Sequence, residues 1–108
     1  MITFKNVSAS QTDDDFTGCG GTKPVAKAGA KIVVRSAFVL GGGTATNLTF
    51  NSKGSGAGTP CSQLCANAAN GGFALPPGSW FETNVGEGLT VTTGAGSTTG
   101  IWLSWDYV

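Results

Sequence analysis

Gly71-Gly72-Phe73-Ala74-Leu75-Pro76-Pro77-Gly78-Ser79-Trp80-Phe81-Glu82-Thr83, followed by Gly86-Glu87-Gly88-Leu89-Thr90-Val91, decides the fold. Two prolines remove two backbone donors and fix φ, so the short apolar run before them must stop and the chain turns before Trp80-Phe81. The segment reads as a corner between two stretches of sheet. Gly86 and Gly88 bracket an acidic tip, and Leu89 and Val91 alternate with Thr90 and Thr92, the period of two of a half-buried strand. The order is strand, kink, aromatic plug, tight turn, strand, and nothing in it is catalytic.

The same period recurs on both sides. In Lys31 to Leu40, Ile32, Val34, Phe38 and Leu40 share one face with Ser36, while Lys31 and Arg35 lie opposite. Gly41-Gly42-Gly43 ends that strand, and Thr46, Leu48 and Phe50 mark another, so the two read as an antiparallel pair joined by a glycine loop. Asn51 to Thr59 is a Gly/Ser-rich surface loop. Cys61 to Asn70 is the only place where a helix fits, with Pro60 at its start and Asn70-Gly71 at its end, and it has room for one or two turns. At the C-terminus Ile101, Leu103, Trp105 and Tyr107 face one way, and Trp102, Ser104 and Asp106 face the other. A terminal strand this apolar is ordered only if it is paired and covered.

These segments predict an all-β fold, a single-domain antiparallel β-sandwich over residues 31–108 with jelly-roll-like connections. Its expected core is Ile32, Val34, Phe38, Leu48, Phe50, Phe73, Leu75, Leu89, Val91, Ile101 and Leu103. Residues 1–30 read as a flexible N-terminal arm with an edge segment at Ile2 to Val7, a polar tip at Asp13-Asp14-Asp15, and a glycine-rich stretch around Cys19.

Composition narrows the function. A chain of 108 residues fits one domain and buries roughly two-thirds of its unfolded surface. Charged residues are 11% of the chain, against a usual ~25%. Six basic and six acidic side chains cancel, so no net field attracts nucleic acid or an anionic membrane, and neither is an expected partner. Such a neutral surface does little to keep monomers apart and suits a chain that lives within an assembly. The opening Met1-Ile2-Thr3-Phe4-Lys5 lacks the apolar core of a secretory signal, and no apolar run reaches membrane-spanning length, so synthesis in a cytosol is expected.

Candidate chemistry is sparse. The sequence has no histidine, which removes the commonest general base and metal ligand. The Asp13-Asp14-Asp15 run lacks the spacing and distal carboxylate of a calcium loop. Three cysteines fall short of a closed four-ligand zinc site. Glu82 and Glu87 are the nearest thing to a glycosidase pair, with Trp80 or Trp102 as a sugar platform, but a small neutral domain offers little depth for a cleft. The reading is therefore of a protein that is not an enzyme and needs no cofactor. A carbohydrate-binding module is the stronger rival, although Trp80, Phe81 and Trp105 read as core and only Trp102 has a pattern that points outward.

Ala68-Ala69-Asn70-Gly71-Gly72-Phe73-Ala74-Leu75-Pro76, then Gly78 to Thr83, Gly86 to Thr92 and Gly100-Ile101-Trp102-Leu103, resemble small structural proteins of tailed bacteriophages. The resemblance covers roughly residues 31–108; the cysteine-containing loop and the Asp-rich arm depart from it. It implies a jelly-roll-type sandwich that serves as a capsid decoration or cement protein, made in the host cytoplasm and carried on the virion surface. The implied partners are the major capsid protein and further copies of the chain in a homotrimer, with Trp102 and the chain end in the contact. A tail or neck accessory, or an adhesin-like module, is the alternative.

The odd cysteine count bears on assembly. Full oxidation requires a bond to another chain, for which Cys19 in its glycine-flanked stretch is the candidate, while Cys61 and Cys65 close a short loop of their own. Cys19 could instead pair with one of those two, or all three could stay free thiols. A virion that leaves a reducing cytosol on lysis could acquire such bonds after assembly.

Overall fold

Alternation of apolar and polar residues commits the chain to strands, and the computed structural model, which describes residues 1–8, 10–94 and 98–108, has no helix among them. The first sheet runs β3 (Gly20–Gly21), β1 (Ile2–Val7), β11 (Thr99–Tyr107) and β4 (Ile32–Leu40), with β8 (Gly72–Leu75) and β9 (Phe81–Glu82) sharing the far side of β4. The second runs β2 (Gln11–Asp14), β10 (Gly88–Thr93) and β5 (Thr46–Lys53), with β6 (Thr59–Pro60) and β7 (Cys65–Asn67) sharing the far side of β5. All the ladders are antiparallel. The two sheets pack face to face as the expected β-sandwich.

The core is where the inward residues meet. Leu48, Phe50, Leu89 and Val91 from the second sheet face Ile32, Val34, Ile101, Leu103 and Trp105 from the first, all buried. In β11 the predicted alternation holds along the strand, with Trp102 outside and Trp105 fully inside.

In β4 the alternation breaks. Ser36 pairs with Ser104 but Val34 pairs with Trp105, so Arg35 is an extra residue, a β-bulge. Because the side-chain period is two, one inserted residue flips everything beyond it. Ala37 and Val39 turn inward, and Phe38 and Leu40, expected on the core face, are half-exposed on the outside. The proline corner lies opposite this bulge: Gly78 N–H donates to the Arg35 carbonyl at 2.8 Å and Trp80 N–H to that of Val34 at 3.1 Å. Phe73 and Leu75, also expected in the core, are half-buried at its margin.

Three other expectations are corrected. β4 and β5 do not pair; the glycine loop is an arch that carries the chain from one sheet to the other, tied down by Gly41 N–H to the Gly71 carbonyl at 2.7 Å. The stretch expected to form a helix gives an extended loop and β7, because its residues complete the edge of β5. The described residues of the first thirty do not form a loose arm: β1 lies between β3 and β11, Thr3 and Val7 are buried, and Phe16 plugs the core at φ 65°. Backbone bonds between Lys31 and Val108, and from Leu89 N–H to the Pro24 carbonyl, hold the segment leading into β4.

Candidate functional site

The outer face of the first sheet is the site. Register places Phe4, Trp102, Phe38 and Ala74 side by side on four adjacent strands, with Gly20 beyond Phe4. Ile2, Phe4, Phe38, Leu40 and Trp102 are between 41% and 50% exposed, although each could have been buried by a shift of one residue. Scattered exposed apolar residues are ordinary, but a contiguous aromatic row marks a contact surface.

The row is ordered before any partner arrives. The Phe4 and Trp102 rings stack with centroids 4.5 Å apart and planes 12° apart. Gly20 makes room for this, since a Cβ there would lie 2.2 Å from the Phe4 ring. Between Trp102, Phe38 and Leu40 is a shallow groove of about 290 Å³, walled on its polar side by Lys5 and Asn6. The Lys5 side chain itself turns the other way from Phe4, with Thr3 and Val7, and its ammonium lies 2.8 Å from both carboxylate oxygens of Asp14 on β2 of the second sheet. Further along the face Arg35 pairs with Asp106 at 3.2 Å. The surface is apolar at its centre and charge-balanced around it.

The other candidate residues are dispersed. Asp13 accepts from Thr90 Oγ1 at 3.0 Å, Asn51 Nδ2 at 3.2 Å and the Gly58 N–H at 2.9 Å, stitching β2 to its neighbours. Asp14 serves Lys5, and Asp15 accepts from Thr17 and Lys23. Those bonds hold the Asp15 carboxyl at about 2, first through the Thr17 hydroxyl and then through Lys23. The triple acid is thus a set of structural acceptors, and the described residues contain no group of three or more potential metal ligands. Glu82 is bound to Lys31 at 2.8 Å, while Glu87 accepts from Ser52 at 2.7 Å and Asn84 at 3.0 Å, which lowers its pKa. The two carboxylates serve different partners.

The cysteines are free thiols, each half-buried. Cys19 is not on a loose arm: its N–H donates to the Phe16 carbonyl at 3.0 Å and its side chain packs against the core. Cys61 and Cys65 line a cleft of about 760 Å³ where the sandwich opens between β8–β9 and β6–β7. Its floor is the Phe50–Phe81 stack, with centroids 5.0 Å apart. Burial pushes the Cys61 thiol up to about 11 and raises that of Cys65 as well, so both are poor thiolates at neutral pH.

Of the residues singled out from sequence, Trp102 falls in the aromatic row, and Trp80 is exposed elsewhere, its indole donating to the Pro76 carbonyl at 2.6 Å. Phe4, Phe38 and Leu40 were missed. The signal for Phe38 and Leu40 was the polar pair Arg35-Ser36 in the middle of an apolar strand, where a bulge can sit. Searches against family models, curated proteins and solved structures find no match to this chain.

Proposed function

We propose that this protein is a virion structural protein of the capsid decoration or cement type. It binds the outer surface of a shell through the Phe4–Trp102–Phe38 face and stabilises the shell by bridging neighbouring capsomers of the major capsid protein. The observation that carries the reading is the ordered, half-exposed aromatic row on a chain with no net charge. Such a surface gains free energy when an apolar partner covers it and offers nothing to a polyanion. Homotrimers repeated around a symmetry axis would multiply weak single contacts by mass action. The bridging falls to this face rather than to a free N-terminal arm, since β1, which carries Phe4, belongs to the first sheet.

Co-sedimentation with shells assembled from the accompanying major capsid protein tests it. The wild-type chain pellets with shells, whereas Trp102→Ser combined with Phe38→Ser remains folded and stays in the supernatant. Equal pelleting of the two proteins, or none by the wild type, overturns the reading.

The groove beside Trp102 also favours a second reading, a carbohydrate-binding module of adhesin type, because about 290 Å³ with polar groups on one wall suits a sugar ring. It ranks lower because Phe4 already stacks on the indole. A glycan array distinguishes the two.

A further inference from the structure

The cleft on the open side of the sandwich lies between two sheet edges. β8 and β9 pair only with β4, and β6 and β7 only with β5, so each sheet ends in an unextended edge here among the described strands. The ladder bond from Gly41 N–H to the Gly71 carbonyl sets the phase of the β4–β8 pairing. Opposite residues in an antiparallel pair alternate between exchanging bonds and pointing them away. Val39–Phe73 and Ala37–Leu75 are therefore the bonded pairs, and the backbone groups of Gly72 and Ala74 face the free edge. Below that edge Phe73, Leu75, Phe81, Phe50, Cys61 and Cys65 line the cleft, and no Asp, Glu, Lys or Arg is among its lining residues.

We propose that this cleft receives an extended, uncharged segment of a partner protein, which adds as a strand to the free edge of β8 and seats alternate apolar side chains on the Phe50–Phe81 floor. A strand fits this place better than a compact ligand does. Free N–H and C=O groups along a sheet edge bind main chain, and an apolar floor takes every second side chain, the two parts of β-augmentation. With no charge in the lining, a charged side chain would be desolvated there without a counter-ion, so the segment is neutral on its inward face. The volume of about 760 Å³ holds several such side chains. This site lies apart from the Phe4–Trp102 face, and the inference stands whether or not that face docks on a shell.

The probe is a capped peptide of strand length alternating Thr and Val, added to the full chain. Bound peptide slows alkylation of Cys61 and Cys65 and leaves Cys19 unchanged, because only the first two line the cleft. Amide signals of Gly72 and Ala74 shift in saturable fashion. Ala74→Pro removes one edge donor at an exposed position where proline is tolerated, and weakens binding about tenfold. A peptide N-methylated on its pairing edge fails to protect the thiols, which tests the same bonds on unaltered protein. Thiol protection without shifts at Gly72 and Ala74, equal binding by the N-methylated peptide, shifts confined to Phe4 and Trp102, or no protection at millimolar peptide each overturns the proposal.

Discussion

The indole N–H of Trp105 donates to Oγ1 of Thr3 at 2.7 Å, joining residues 102 positions apart inside the core. The Thr3 hydroxyl in turn donates a hydrogen bond to the Thr22 carbonyl, so one buried side chain ties β11, β1 and the end of β3. Thr3→Val keeps the shape and leaves both partners unsatisfied. It should cost about 1–3 kcal/mol, measured by urea unfolding. A change near zero would show that the hydroxyl is dispensable.

Thr99 is the opposite case. It is fully buried on β11, and its hydroxyl has no hydrogen-bond partner among the described residues. Thr99→Val should leave stability unchanged or raise it by about 1 kcal/mol, because an unpaired buried hydroxyl is replaced by a methyl group. Clear destabilisation in the same assay would reveal a bond that the hydroxyl makes.

The bulge in β4 predicts unequal costs for two large side chains on paired strands. Leu103→Ala should lose about 2–5 kcal/mol as a fully buried truncation. Phe38→Ala, next to Trp102 on the outer face, should lose under about 1 kcal/mol, since surface changes away from special features are small. Similar losses for the two would place Phe38 in the core.

Asp15 links stability to acid. Its folded pKa, about 2, lies below the ordinary 3.8, so the unfolded chain binds the proton more readily. The stabilisation is complete above pH 3.8 and is lost as pH falls through about 2. Its size is limited because the side chain is largely exposed and screened. Melting temperatures of wild type and Asp15→Asn should differ slightly at pH 5 and converge toward pH 2. A gap that widens in acid would reverse the sign.

Cys61 should alkylate slowly at neutral pH, its rate rising toward a midpoint near 11. Purified protein should run as a monomer on non-reducing electrophoresis, with three thiols reactive after denaturation. A dimer band lost on reduction would restore the inter-chain bond through Cys19.

The strands that proved readable are those whose neighbours leave their alternation intact. Leu89 and Val91 of β10, Leu48 and Phe50 of β5, and Ile101, Leu103 and Trp105 of β11 all lie where their period of two placed them. Long-range pairing was not legible. Ile2 to Val7 has the composition of an edge segment, and only its two ladders, with β11 on one side and β3 on the other, make it an inner strand. The three aspartates looked like a solvated tip because their acceptors' partners, such as Thr90 and Asn51, are distant in sequence. At the site Trp102 was legible from its own strand, whereas Phe4 becomes its stacking partner only through register, and Phe38 reaches the surface through a shift within one peptide unit.

The extra residue at Arg35 separates the position of this surface from the count of residues along the strand. Deleting Arg35 would join Val34 directly to Ser36, and both already pair with adjacent residues of β11, Trp105 and Ser104. Ala37 and Val39 would stay inside and Phe38 and Leu40 outside, now by plain alternation from Val34. The bulge absorbs one residue of chain length without moving the aromatic row. A lineage of such chains could therefore lose or regain that codon and keep its adhesive face, and relatives aligned without the gap would have their inside and outside interchanged on paper alone.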